Sequence, residues 1–190
     1  GVGYSESQSV LLNGGFVHSN FLGTGNRVAA EINAGQYSKV FSVSHTDPYR
    51  TVDGVSRTLS ATWRSINQFT SASSDFETET GTLAADYGWP ISEFQSVRAG
   101  LALSRSDLLT DPNGSSQEAV DWVRNNGNTY TERVSFGVPP IATEFYGTKF
   151  DTFSLTLGWG FDSRNRGIFA DQGARHRMNL SYTIPGSDVE

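Results

Sequence analysis

The segment from Thr152 to Asp188 constrains the fold most. Phe153, Leu155, Leu157, Trp159 and Phe161 alternate strictly with Ser154, Thr156, Gly158 and Gly160. Beyond a polar stretch, Met178, Leu180, Tyr182 and Ile184 alternate with Arg177, Asn179, Ser181 and Thr183. Successive side chains of a strand point to opposite faces, so period 2 makes each half a strand with one apolar face and one polar face. The two halves read as a hairpin closed by the turn DSRNRGIFADQG.

The same period recurs along the chain. Val28, Ala30, Ile32 and Ala34 alternate with Arg27, Ala29, Glu31 and Asn33; Leu59, Ala61 and Trp63 with Thr58, Ser60, Thr62 and Arg64; Leu83, Ala85, Tyr87 and Trp89 with Thr82, Ala84, Asp86 and Gly88; Val97, Ala99, Leu101 and Leu103 with Arg98, Gly100, Ala102 and Ser104. Shorter strands are expected at Gly1–Ser5, Val10–Asn20 and Lys39–Thr46. The phase of the second is ambiguous because Phe16 and Val17 are both apolar. The period breaks over Leu108–Lys149. There Ser115-Ser116-Gln117-Glu118 has capping-box spacing, Ala119, Val120, Trp122 and Val123 share a helical face, and Gly127 can end the helix. This stretch is expected to be one long loop carrying a short helix, with VPPI at Val138–Ile141 keeping the rest irregular. About nine strands result, mostly joined by short turns and with no helices between them, which excludes a parallel βαβ fold.

Two settings fit such strands. In a soluble sandwich the apolar face is the core; in a membrane barrel it meets lipid and the polar face lines a wet lumen. The polar faces carry charge strand after strand: Arg27, Glu31, Arg64, Asp86, Arg98 and Arg177. Aromatics such as Trp89 and Trp159 to Phe161 stand near strand ends, as in an interfacial girdle. Connections alternate between turns (LGTGN, DPYRTVDG, PISEFQ, NRGIFADQG) and a second set (SESQS, AGQYS, SASSD and the helical excursion), matching the periplasmic turns and external loops of outer-membrane barrels. The membrane reading therefore takes precedence. In it Trp63, Leu83, Tyr87, Trp89, Leu101, Leu103, Phe153, Leu155, Leu157, Trp159, Leu180 and Tyr182 face lipid, and the six charged residues line the lumen.

Composition narrows function. No apolar run approaches the ~20 residues of a transmembrane helix, and mean hydropathy is −0.38. Twelve Phe, seven Tyr, four Trp and 20 Gly suit twisted strands with tight turns. A net charge of −6 without a Lys/Arg cluster disfavours nucleic acid. Cysteine is absent, which removes disulfides, thiol catalysis and Cys-ligated metal. His18, His45 and His176 lack metal-ligand spacing, no G-x-S-x-G elbow is present, and Gly23-Thr24-Gly25 opens no helix that could cradle phosphate. No cofactor, metal or enzymatic turnover is expected. The opening GVGYS is already strand-like, which is read as a segment of a longer protein. Asp162, Arg164, Arg166 and Asp171 gather in one turn and are read as local ion pairs or as a docking surface for a periplasmic partner.

At its connections the chain resembles the BamA family, the outer-membrane protein assembly factors of Gram-negative bacteria. The matching runs are GVGY at 1–4, NFLGTGN at 20–26, DPYRTVDGVS at 47–56, WPISEFQSVRAGL at 89–101, and DSRNRGIFADQGAR through IPGSDVE at 162–190. They stand in family order across nearly the whole chain. Arg50 departs from the family, standing where a second aromatic often follows the Pro-Tyr pair. The resemblance implies an all-β fold: a partial transmembrane antiparallel up-and-down barrel, with residues 1–190 its N-terminal half and 108–149 a long external loop with a short helix. It implies bacterial outer-membrane localisation, and folding and insertion of β-barrel clients without chemical turnover. Client strands would pair with the first barrel strand at a lateral seam, here Gly1, Val2, Gly3, Tyr4 and Ser5. The implied partners are client outer-membrane proteins, accessory assembly lipoproteins and outer-membrane lipid. The rival functions are a passive porin or transporter and a two-partner secretion pore. With about nine antiparallel strands the first and last run parallel, so these residues by themselves are expected to form an open or non-natively closed sheet.

Overall fold

The computed structural model describes every residue except 6–8, 68–75, 137–140, 167, 170 and 185–190. The SASSD tip, the middle of SESQS, most of VPPI and the PGSD end of the last motif therefore lie outside the described residues. The elements run β1 (Val2–Ser5), β2 (Ser9–His18), a 3-10 turn (Phe21–Gly23), β3 (Arg27–Ala34), β4 (Ser38–Asp47), β5 (Ser56–Asn67), β6 (Phe76–Ser92), β7 (Gln95–Thr110), α1 (Gln117–Asn125), β8 (Asn128–Phe136), β9 (Ile141–Asp162) and β10 (Arg175–Thr183). Every pairing is antiparallel. The sheet runs β1-β2-β3-β4-β5-β6-β7-β9-β10, with β8 paired to β9 off this path. Nine strands thus form the continuous path, and the sheet is open, with β1 and β10 at its ends.

Register joins the alternating faces of separate strands into two continuous surfaces. One row runs Ala30, Val43, Ala61, Leu83, Leu103 and Phe153; a second runs Tyr87, Ala99, Leu157 and Leu180. The opposite surface has rows such as Ser42, Thr62, Thr82 and Ser104. Hydroxyls there meet across strands, as at Thr82 with Ser104 (3.1 Å) and Thr46 with Thr58 (3.2 Å). Register also resolves the phase of β2: Phe16 faces with Ala30, while Val17 faces with Ala29 on the polar surface.

No second layer of described residues covers the apolar surface. Among the described residues the buried hydrophobic side chains are Val120, Val123 and Phe145, while Leu83, Leu101, Phe153, Leu157, Leu180 and Tyr182 stand exposed. A water-soluble sheet of this area would need a partner layer. Among the described residues no helix is long and apolar enough to cross a membrane.

The stretch over Leu108–Lys149 differs from expectation. It holds the expected helix, but residues 128–136 and 141 onward are strands rather than irregular chain. β9, at 22 residues, extends roughly 70 Å at about 3.3 Å per residue. A tilted membrane strand needs only about 9–11 residues, and the apolar run of β9 occupies Phe153 to Phe161. Beyond that run the same face turns charged. Arg105 makes a two-pronged pair with Asp151 (both contacts 2.8 Å), and Lys149 lies 3.4 Å from Asp107, which also accepts the Tyr130 hydroxyl at 2.7 Å.

Helix α1 folds back over the polar surface of this projecting part. Ser116 caps it, its Oγ accepting the Ala119 N–H at 3.3 Å, one residue later than a Ser115–Glu118 capping box would place the cap. Trp122 meets Phe150 edge-on with centroids 5.5 Å apart, and the Arg124 guanidinium lies 4.0 Å from the Tyr146 ring centre. The helix ends at Asn126, whose backbone is extended, and Gly127 then turns the chain into β8 with φ +68°, where a Cβ would stand 2.8 Å from the Lys149 carbonyl oxygen. Only glycine meets both demands at that position.

Candidate functional site: an open strand edge between two unlike faces

β1 pairs with β2 through Val2 with Leu12, Gly3 with Leu11, Tyr4 with Val10 and Ser5 with Ser9. Asn13 donates its N–H to the Gly1 carbonyl at 2.8 Å, and the Gly1 nitrogen donates to the Asn13 carbonyl. Gly1 and Asn13 are therefore a hydrogen-bonded pair. Because such pairs alternate with non-bonded ones in an antiparallel ladder, Gly3 and Ser5 also bond inward. The N–H and C=O groups of Val2 and Tyr4 point away from β2. They form the outer main-chain edge of the described sheet, and the two residues are 76% and 77% exposed.

The described ladder between β1 and β2 runs from Val2 with Leu12 to Ser5 with Ser9. Val2 and Tyr4 continue the apolar surface of Val10 and Leu12. On the polar side, a Cβ at Gly1 would meet nothing within 4 Å, and one at Gly3 only the Leu11 Cβ at 3.9 Å. Neighbouring atoms therefore do not force glycine here.

All six charged candidates fall on one surface. Arg27 stands opposite Thr46, Glu31 opposite Ser42, Arg64 opposite Thr80, Asp86 opposite Gly100, Arg98 between Gly88 and Gly158, and Arg177 opposite Gly160. They are spread over five strands and do not converge on one point. Arg98 and Arg177 come nearest to doing so, sharing a small glycine-floored recess with Ser96 and Asn179. Among the described residues neither of them, nor Arg27 or Arg64, has a carboxylate within 4.0 Å. Glycines on this surface are spaces into which side chains lie: a Cβ at Gly100 would stand 2.1 Å from Asp86 Oδ1.

The twelve apolar candidates share the other surface. Phe41 packs on Trp63 (5.4 Å), Tyr87 stacks on Trp89 (6.0 Å), and Trp159 stacks on Phe161 (6.4 Å). His18 lies among Phe16 and Phe21 (6.3 and 6.1 Å), and His176 stacks on Phe161 (6.0 Å). Both histidines thus belong to the aromatic rim near the turns. Among the described residues no three His, Asp or Glu side chains gather as a metal site. Sequence reasoning missed Arg57, which register puts on the apolar surface opposite Asp47 and Tyr87. Counting back by twos from Leu59 would have found it.

The turn after β9 does bring its charges together. Arg164 binds Asp162 with Nε at 2.9 Å and Nη2 at 2.8 Å, Arg175 approaches the same carboxylate at 3.8 Å, and Arg166 lies 3.9 Å from Asp171. The Arg164 hydrogen bond holds the Asp162 carboxyl well below the usual carboxylate range, at about 2.

Comparison with known proteins agrees with this architecture. The profile of the Omp85 superfamily domain matches residues 20–190. The outer membrane protein assembly factor BamA of Neisseria meningitidis serogroup B is 23% identical over 190 residues, covering 99% of this chain and 22% of that protein. The crystal structure of BamA from Haemophilus ducreyi lacking POTRA domains 1-3 superposes with a TM-score of 0.66 at 24% identity, over 98% of this chain and 34% of that one. The chain thus spans about a fifth of the curated relative and a third of the solved one. With its profile match, open antiparallel sheet and uncovered apolar surface, the chain belongs to the Omp85 superfamily, as a BamA-like length of outer-membrane β-barrel.

Proposed function

We propose that this chain supplies the templating half of a machine that folds β-barrel proteins into the outer membrane. The observation that carries the reading is the β1 edge: an end strand of the described sheet in which the main-chain groups of Val2 and Tyr4 point away from β2. An unpaired edge is a template for an incoming strand, which gains hydrogen bonds without needing a particular side-chain sequence. Such tolerance suits a catalyst of many clients. Each pairing also removes polar main chain from contact with lipid, where it is costly.

In this reading the apolar surface faces lipid, and Arg27, Glu31, Arg64, Asp86, Arg98 and Arg177 face the lumen. The turns at 21–26, 48–55, 93–94 and 163–174 are periplasmic, and the projecting β7–α1–β8–β9 unit is external. That unit, with residues 108–149 at its heart, is a cap on a barrel half comprising residues 1–190. Helix α1 lies across the polar surface, which suits a capped interior better than an open pore. The work is strand pairing, with no bond made or broken in a substrate. Client barrels, accessory lipoproteins and outer-membrane lipid are the partners, with the Asp162–Arg164–Arg166–Asp171 turn a docking surface on the periplasmic side.

The test is a site-specific crosslinker at positions 2 to 5 of the full-length protein during client insertion. Adducts to the client's terminal strand are expected, and a disulfide locking β1 to the last barrel strand should stop insertion. Unimpaired insertion by the locked protein would refute the proposal.

A further inference from the structure

Arg57 is out of place. It is the second residue of β5, at the end where β5 leaves the turn, and its face is that of Leu59, Ala61 and Trp63. Register puts it between Asp47 on β4 and Tyr87 on β6, and Tyr87 in turn stacks on Trp89. The side chain is half-buried, and its Nε is fully buried without a hydrogen-bond partner. Asp47 stands opposite, but its Oδ1 accepts the Tyr49 N–H at 3.2 Å. No carboxylate lies within 4.0 Å of Arg57 among the described residues. A guanidinium on an apolar, aromatic-rimmed surface thus has no ion-pair partner among the described residues.

We infer that Arg57 binds the phosphate of a phospholipid in the periplasmic leaflet, a proposal that rests on the apolar surface facing lipid. An arginine stays charged at any accessible pH, so it cannot escape burial by losing its proton. With Nε sealed off, the Nη end carries the polar demand of the group, and Arg57 stands beside the Tyr87–Trp89 rim, the level at which such rims meet headgroups. A phosphate matches the planar fork with two parallel charge-assisted hydrogen bonds, each stronger than a bond to water. The Tyr87 and Trp89 rings offer the adjoining acyl segment a flat apolar wall.

The full-length protein in phospholipid nanodiscs tests this by native mass spectrometry, read as phospholipids retained on release. Arg57→Gln is expected to retain one phospholipid fewer than the parent. Arg50→Gln, on an exposed turn of the same rim, and Asp47→Asn should match the parent, and millimolar inorganic phosphate should displace nothing. Equal retention by Arg57→Gln and the parent overturns the proposal. So does equal loss from Asp47→Asn, which would make Asp47 the partner of Arg57, or displacement by free phosphate. A nitroxide at Leu59→Cys reads the underlying premise separately. High oxygen accessibility with no lipid loss refutes the Arg57 site alone, whereas low accessibility refutes the lipid-facing surface.

Discussion

Replacing Tyr4 with proline separates the outward edge of β1 from everything else the strand does. Tyr4 is a non-bonded partner of Val10, so its N–H points away from β2 and the β1–β2 ladder does not use it. Proline removes that one donor, and an edge strand is the place in a sheet where proline is tolerated. Val2 and Tyr4 offer an incoming strand two N–H and two C=O groups. At a net ~0.5–1.5 kcal/mol each, those four bonds supply about 2–6 kcal/mol of docking free energy. Losing one donor costs about 1 kcal/mol, and leaving the client's carbonyl unsatisfied away from water adds about 1–3 kcal/mol. A loss of about 2–4 kcal/mol corresponds to roughly 30- to 700-fold weaker pairing. The assay is the rate of crosslinking between position 2 and a client's terminal strand, alongside heat-modifiable gel mobility to check that the barrel is folded. Tyr4→Phe and Tyr4→Val keep the N–H and should behave as the parent. If a folded Tyr4→Pro protein captured clients at the parental rate, main-chain templating at this edge would be wrong.

Three further outcomes follow from the two surfaces and the turn. Leu157, mid-band on β9 between Ala99 and Leu180, should tolerate lysine poorly, at a cost of about 2–4 kcal/mol, whereas Ser181→Lys on the polar surface should cost less than about 1 kcal/mol; urea unfolding in lipid vesicles measures both. Gly127→Ala sets a Cβ 2.8 Å from the Lys149 carbonyl oxygen at φ +68°, costing about 1–3 kcal/mol, whereas Gly81→Ala, with nothing within 4 Å, should stay within about 0.5 kcal/mol in the same assay. Asp162 has its carboxyl lowered from 3.8 to about 2, so the order it lends the turn is fully present above the unfolded value and is lost as pH falls through the folded one; amide exchange at Ser163 and Arg164 should remain slow at pH 3 and quicken near pH 2, and an onset at pH 4 would refute the pairing.

The sheet was legible wherever one face is apolar throughout. In β9 and β10 the period-2 pattern identified the residues of each face, and the observed pairs of Leu155 with Tyr182 and Leu157 with Leu180 keep the apolar face continuous. The same reasoning failed at β8. NTYTERVSF and the start of β9, IATEFYGTKFD, carry polar groups on both faces. A strand projecting into water has no apolar medium to enforce alternation, so its sequence resembles a loop. It is a strand because β7 continues past the apolar band and offers its edge to β9, which in turn holds β8. That cause lies in a neighbour and not in the residues themselves.

The β1 edge was legible for a different reason. Val2 and Tyr4 are a β-branched and an aromatic residue on an apolar face, as are dozens of strand residues elsewhere, and nothing in their chemistry marks an edge. An edge is defined by the hydrogen bonds a strand does not make, and these depend on the order of strands in space. The GVGY run pointed to it only through family resemblance. What structure adds is the division within the run: Gly1 and Gly3 bond inward to β2, and the main-chain groups of Val2 and Tyr4 point outward. Substitutions at positions 1 and 3 should therefore act on how firmly β1 is held, and backbone changes at positions 2 and 4 on what it can capture. A one-residue shift of register between β1 and β2 would exchange the two roles and turn Val2 and Tyr4 toward the polar surface. The continuity of Val2 and Tyr4 with the apolar row of Val10 and Leu12 thus favours the register in which their main-chain groups point outward.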